Sequence, residues 1–105
     1  MDIQIPTTLL DGVVLATLSR EEMYGYSLTK AVQERLDISE STLYPVLRRL
    51  KKNGSLETYD VPFDGRMRRY YRITDFGKEE LSHLLDDWEV FKRIIDSILK
   101  GEDNG

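Results

Sequence analysis

The spacing of apolar residues changes abruptly after Asn53-Gly54, and this change constrains the fold more than any other feature of the sequence. Before it, apolar residues recur every three or four positions, which is typical of amphipathic helices. After it come two short segments rich in Tyr, Val, Thr and Ile, over residues 56–61 and 67–73. They are separated by turn-forming residues 62–65, so they predict a β-hairpin. Helical spacing then resumes, and the fold is predicted to be mainly α with a small β-hairpin.

Three helices are predicted before the hairpin. The first is capped by Thr7 or Thr8, the second covers residues 27–36, and the third is capped by Ser39 or Ser41. Asn53-Gly54 supplies the left-handed stop that ends the third helix. Three helices, a two-stranded hairpin and a final helix are the order of elements in a winged helix-turn-helix.

Charge is distributed unevenly along the chain. The whole sequence carries a net charge of −4, but residues 48–72 contain eight basic and three acidic residues, a net charge of +5. A basic middle between acidic ends is the electrostatic pattern of a DNA-binding face on an otherwise acidic protein. A solvated charged surface is the alternative for this pattern taken alone.

The third helix is the candidate recognition helix, because its apolar stripe faces the core and its other side is polar and basic. Hydroxyl groups near its N-terminus can reach base edges or phosphates, and its later cations can pair with guanine or phosphate. Its predicted DNA-contacting residues are Ser41, Thr42, Tyr44, Arg48, Arg49, Lys51 and Lys52.

The second strand of the hairpin is dense in arginine. Alternate residues share a face of a strand, so the even-numbered residues 66–72 lie on one face and the odd-numbered residues 67–73 on the other. The first face suits the DNA backbone or the minor groove, and the second is expected to pack on the core. The residues of the hairpin predicted to contact DNA are Arg66, Arg68, Arg69 and Tyr70.

The last helix carries two sets of apolar residues spaced by seven, which is the pattern of a helix-pairing seam. Such a seam is too long for a small three-helix core, so it predicts pairing with a second copy across a two-fold axis, packing within the chain being the alternative. The predicted interface residues are Leu81, Leu84, Leu85, Trp88, Phe91, Ile95 and Ile98. The predicted units are a DNA-binding domain (1–73), a dimerisation helix (74–100) and a flexible tail (101–105).

Several other classes of protein are disfavoured. The chain has no cysteine, its apolar runs are too short to cross a bilayer, and its first residues do not form a secretion signal, so we expect a cytoplasmic protein without membrane contact. No catalytic constellation, metal site or cofactor motif is present, and His83 is the only histidine. An enzyme is therefore not expected.

Three motifs occur in a fixed order: Tyr24-Gly25-Tyr26, residues 41–50 followed by Asn53-Gly54, and residues 68–74 followed by Gly77. In this order and spacing the chain resembles the PadR family of transcriptional regulators over about residues 8–99. The resemblance implies a dimeric winged-helix repressor that binds double-stranded operator DNA and responds to a small aromatic effector. A winged-helix module that binds other proteins, without reading DNA, is the alternative.

The single C-terminal helix is similar to that of the short PadR subfamily, which includes multidrug-binding members. There, a tryptophan from each subunit encloses a flat ligand at the dimer interface. Trp88 matches that position, and the resemblance implies a ligand site of Trp88, Phe91 and Lys92. Lys92 stands where an acidic residue would favour a cationic drug, so a neutral or anionic effector is expected.

Overall fold

The computed structural model describes residues 3–102. Residues 1–2, and residues 103–105 of the predicted tail, lie outside this range. The elements in chain order are α1 (Thr7–Arg20), β1 (Met23–Tyr24), α2 (Gly25–Gln33), α3 (Glu40–Lys52), β2 (Leu56–Phe63), β3 (Arg66–Ile73) and α4 (Asp75–Leu99). This order confirms the predicted winged helix-turn-helix followed by one long helix.

The core lies between the first three helices and the base of the sheet. Its leucines and valines recur at helical spacing, so each helix buries one stripe against the other two. The buried apolar residues are Leu10, Val14, Leu15, Leu18, Leu28, Val32, Leu43, Val46, Leu47, Leu50, Leu56 and Ile73. Only the last two come from the hairpin, so its distal half extends beyond the helical core.

The sheet has three antiparallel strands in the order β1-β3-β2, so the predicted hairpin is present and is extended by a strand that was not predicted. In β1, Met23 pairs with Tyr71 and Tyr24 with Tyr70. The turn is also shorter than expected. Asp64 and Gly65 alone form it, with φ values of 52° and 78°, as a two-residue hairpin turn requires. Residues 62 and 63, predicted as turn, belong to the edge strand β2.

Helix starts differ from the expectation in two places. Pro6 is the N-cap residue of α1 and no side chain caps this helix, so the prediction that Thr7 or Thr8 caps it was wrong. The second helix begins at Gly25 and ends at Gln33, earlier than the predicted range 27–36. For α3, Ser39 is the cap and accepts a hydrogen bond from the Thr42 amide, one of the two predicted alternatives.

The long helix α4 spans about 38 Å at 1.5 Å per residue. Its first half packs on the chain: Leu81 contacts the core, and Leu84 lies directly against Gly12 of α1. Its second half extends away, which gives the molecule a longest dimension of 62 Å against 29 and 20 Å. Within residues 3–102, neither this helix nor any other combines the length and apolar character needed to cross a bilayer.

The C-terminal end of α4 is capped. Gly101 takes a φ of 70°, and the Glu102 amide donates to the Ser97 carbonyl at 2.9 Å. The Gly101 amide donates to the Ile98 carbonyl at 3.2 Å, which completes a Schellman motif. Residues 101 and 102 of the predicted tail are thus joined to the helix.

Candidate nucleic-acid interface

The exposed face of α3 is basic. Arg48, Lys51 and Lys52 are exposed, and within residues 3–102 none of them has a carboxylate partner. They lie opposite the buried leucine stripe of the same helix, because residues three and four apart share a face. This face therefore keeps its positive charge available for an anion.

Arg49 differs from its neighbours on α3. It forms an ion pair and a hydrogen bond with Asp11 of α1, so its guanidinium lies at the flank of the helix. Burial at this junction raises the pKa of Asp11 above its ordinary value of 3.8, although Arg49 acts in the opposite direction. Arg49 was predicted as a DNA contact from its place in the sequence, and the structure places its charge beside Asp11.

Hydroxyl groups cluster at the start of α3. The Ser39 hydroxyl lies 2.9 Å from that of Ser41 and 3.0 Å from that of Thr42, and all three residues are exposed. Helix N-termini carry free amides and a partial positive charge, so hydroxyls held here suit contact with a phosphate. The structure thus brings the predicted residues Ser41 and Thr42 together.

Tyr71 lies on the inner face of the hairpin and is half-buried. Burial raises the pKa of this half-buried tyrosine, the Tyr44 hydroxyl raises it further, and the positive charges of Arg69 and Arg48 lower it. Tyr44 and Arg48 of α3 and Arg69 of β3 are all exposed.

The opposite, outer face of the sheet carries a row of aromatic rings and arginines. Tyr59 and Tyr70 stack at 5.5 Å between ring centroids, and Tyr24 lies 6.1 Å from Tyr70. The guanidinium of Arg68 lies over both the Phe63 and the Tyr24 rings. Strand register produces this row, because the facing residues of β1, β2 and β3 point to the same side.

Carboxylates neutralise two of the four hairpin arginines. Arg69 pairs with Asp60 at 3.3 Å, and Arg72 pairs with Glu57 at 2.7 Å and with Glu22 at 3.8 Å. The hydrogen bond to Glu57 raises the pKa of Arg72 further above its ordinary value. Within the described residues, Arg66 and Arg68 have no such partner, so they carry the uncompensated charge of the hairpin.

The inner face of β3 is only partly buried. Ile73 is buried and Tyr71 is half-buried, as predicted for residues that pack on the core. Met67 is 62% exposed, so the prediction that it packs on the core was wrong. Its position near the tip, beyond the helices, leaves it without a surface to contact.

Seven predicted interface residues follow one side of α4. Leu81 and Leu84 have partners within the chain, whereas Leu85, Phe91, Ile95 and Ile98 are exposed. Trp88 is half-buried, with its ring 6.3 Å from that of Phe91. Lys92 of the predicted ligand site forms an ion pair with Glu89 at 3.1 Å.

Sequence reasoning missed Tyr24 and Phe63, the two rings that flank Arg68. The Asp-Gly pair at 64–65 was the available signal, because such a pair favours a two-residue turn. That turn extends β2 to Phe63 and fixes its register against Arg66, two residues from Arg68. A strand as short as β1 carries no comparable pattern.

The molecule has a basic candidate recognition helix beside an arginine-rich β-hairpin, which corresponds to the wing of a winged helix. These features define its class as a winged-helix DNA-binding protein. Residues 14–83 match the model of the family described as "Transcriptional regulator PadR-like family". The chain therefore belongs to the PadR-like family. Its members are transcriptional regulators, which confirms the expectation that the chain is not an enzyme.

Similar proteins agree with this assignment. The chain is 31% identical to the transcriptional regulator Rv3488 of Mycobacterium tuberculosis, over 85% of this chain and 81% of that protein. The crystal structure of smu.1704 from Streptococcus mutans UA159 is 37% identical, with a TM-score of 0.87, over 100% of this chain and 99% of that one. A PadR-like transcriptional regulator from Bacillus cereus (BC4206) is 33% identical, with a TM-score of 0.79, over 90% and 94%.

Proposed function

We propose that the protein is a sequence-specific, homodimeric repressor of transcription that acts in the cytoplasm. The observation that carries the proposal is the exposed face of α3, where Arg48, Lys51 and Lys52 keep uncompensated charge beside the hairpin. In this proposal α3 enters the major groove, with Thr42, Tyr44 and Arg48 contacting bases or adjacent phosphates. The hairpin contacts the neighbouring backbone or minor groove.

Dimerisation is supported by the second half of α4. Its exposed apolar residues continue the seven-residue spacing and have no surface of their own chain to cover them. Two-fold pairing of this helix would bury them against their equivalents. It would also present two copies of α3 to one side of a duplex, about 34 Å apart, which is one helical turn of DNA.

An effector site is proposed at the same interface. Trp88 and Phe91 are neighbouring rings on the seam, and two copies of this pair would form an aromatic slot. Lys92 is held by Glu89, so the slot carries little net charge and suits a neutral flat molecule better than an ion. Such a ligand would favour one arrangement of the two α4 helices and thereby change the spacing of the recognition helices.

The first test is a fluorescence-anisotropy titration of the protein against overlapping labelled duplexes from the DNA upstream of its own gene, at two salt concentrations. We expect tight, salt-dependent binding to one duplex with two protein chains per site. Equal weak binding to all duplexes and to an unrelated duplex would contradict sequence-specific regulation from this region.

The second test concerns the effector. Trp88 is the only tryptophan of the chain, so its fluorescence reports directly on the proposed slot. A neutral planar aromatic compound that binds there should quench this fluorescence and lower the affinity for the best-bound duplex in the same concentration range. Quenching of the Trp88 fluorescence without any change in DNA affinity would show that ligand binding in the slot does not regulate DNA binding.

A further inference from the structure

Arg68 lies between two aromatic rings on the outer face of the sheet. Its guanidinium carbon is 3.5 Å from the centre of the Phe63 ring and 4.5 Å from that of Tyr24. Phe63 belongs to β2 and Tyr24 to β1, which flank β3 on opposite sides. Both rings therefore lie within cation–π distance of the guanidinium, one from each neighbouring strand.

The charge of Arg68 is not compensated. Within residues 3–102 its guanidinium has neither an ion pair nor a hydrogen bond, whereas the adjacent Arg69 is paired with Asp60 and Arg72 with Glu57. Contact with an aromatic ring leaves the edge of a guanidinium free, and all five of its N–H donors lie along that edge. Arg68 is half-buried, whereas the other arginines of the hairpin are exposed. The N–H groups of its guanidinium have no acceptor among the described residues.

Such an arrangement favours binding of an oxyanion. A free arginine loses side-chain entropy when it orders on a phosphate, and a guanidinium already held between rings loses less. The planar fork then offers two parallel N–H groups to a phosphate. Arg66 provides the contrast, because it is equally uncompensated but exposed and without stacking partners.

The position of Arg68 suits the backbone of a duplex. The distal half of the hairpin extends beyond the core, so both of its faces are accessible. A hairpin that enters a minor groove has one phosphate chain on each side. Arg68, on the outer face, would then face one of these two strands.

We propose that Arg68 is a pre-organised receptor for one phosphate of the DNA backbone, and that Tyr24 and Phe63 are its positioning residues. The inference rests on the proposed DNA-binding function and adds to it that the arginines of the hairpin have different roles. Arg68 binds phosphate, Arg72 is neutralised within the sheet, and two aromatic residues act on DNA binding through Arg68.

The first experiment measures affinity for the best-bound duplex as a function of salt concentration. Arg68→Ala should weaken binding about tenfold and reduce the slope of log affinity against log salt by about 1 per subunit, because one phosphate contact is lost. Arg72→Ala is the matched control. It removes an arginine from the same strand face, and its slope should equal that of the parent because its charge is already compensated.

The second experiment is a double-mutant cycle. Tyr24→Leu and Phe63→Leu should each weaken binding about threefold with the slope unchanged, since the positive charge remains and only its positioning is lost. In the Arg68→Ala background the same changes should have no further effect, because residues that act through one another are not additive. Tyr59→Leu, on the same face but not in contact with Arg68, should have the same effect in both backgrounds.

The outcomes separate the inference from the proposed function. If the parent protein shows no salt-dependent binding to any duplex, both are overturned. If it binds but Arg68→Ala leaves the slope unchanged, the function stands and the receptor is wrong. If the aromatic variants weaken binding equally in both backgrounds, while urea unfolding midpoints stay at the parental value, the positioning role is wrong.

Discussion

A Cβ atom added to Gly77 would overlap the carbonyl oxygen of Ser55, at the point where α4 passes over the start of β2. Thr74 forms hydrogen bonds at the same junction. Its amide donates to the Ser55 carbonyl at 3.0 Å, and its hydroxyl donates to the Gly54 carbonyl at 2.6 Å. The Thr74 hydroxyl also accepts from the Gly77 amide at 3.0 Å. The start of α4 is therefore fixed to the segment that follows α3 by backbone contacts and by the Thr74 hydroxyl.

The first prediction is that Gly77→Ala destabilises the fold by about 2–3 kcal/mol, despite the better helix propensity of alanine. The obstacle is a backbone carbonyl, which cannot move away as a flexible side chain can. Urea unfolding at neutral pH measures the change. Lys78→Ala, one residue further on the exposed side of the helix, should change stability by less than about 0.5 kcal/mol. Equal stability of the Gly77→Ala variant and the parent would show that the Ser55 carbonyl can move away from the added methyl group.

A pH dependence is predicted at the pair of Asp11 and Arg49. Burial raises the pKa of Asp11 in the folded protein above 3.8, so the unfolded chain ionises first as the pH rises. The folded state then binds more protons than the unfolded state, and its stability relative to an Asp11→Asn variant should fall as the pH rises from 3.8 through the raised pKa. Above that range the difference should stay constant.

Urea unfolding of both proteins between pH 3 and pH 7 measures this difference, because the remaining titratable groups are common to the two. A wild type that instead gains stability relative to Asp11→Asn over this range would show that the attraction of Arg49 outweighs burial. The ion pair would then lower the pKa of Asp11.

The contacts of Arg48 and Arg49 predict different effects on DNA binding. Arg48→Ala should weaken binding to the best duplex by about 1–3 kcal/mol and relax the preference at one base pair, if it reads a guanine. Arg49→Ala should change binding far less, because its guanidinium is already paired with Asp11 at the flank of the helix. Anisotropy titrations against the duplex and its single-base-pair variants distinguish the two. Equal losses for both arginines would place Arg49 on the DNA side as well.

The helices of the fold were predictable because their information is local. Thr74 caps α4, Ser39 caps α3 and Gly54 ends α3 with a φ of 88°, each within a few residues of the element it bounds. The first helix shows the limit of this reasoning, because a threonine at its start predicted a cap that the backbone at Pro6 does not use. Capping propensity identifies the residues that are able to cap a helix. The backbone conformation of the residues before the helix determines which of them does so.

The candidate site was predictable in its residue types but not in its charges. Arg49 forms an ion pair with Asp11, which lies 38 positions earlier in the sequence. Arg72 forms an ion pair with Glu22, which directly precedes the unpredicted strand β1. No local pattern reveals these pairs, because tertiary packing brings them together. Sequence therefore identified the basic residues of the site, and the structure was needed to tell which of them keep their charge for a ligand.

The last prediction concerns α4, where two exposed apolar residues lie on different sides of one helix. Ile95 continues the seven-residue seam, while Val90 lies outside it, about 140° away from Ile95 around the helix axis, and the two are 37% and 50% exposed. Ile95→Lys places a charge in the proposed two-fold interface, so it should convert the dimer to monomer and abolish cooperative operator binding. Val90→Lys is the matched control, since it makes the same kind of change at another exposed site of the same helix. Sedimentation equilibrium of both variants measures the change: if Val90→Lys dissociates the protein and Ile95→Lys does not, the helices pair through the side that carries Val90.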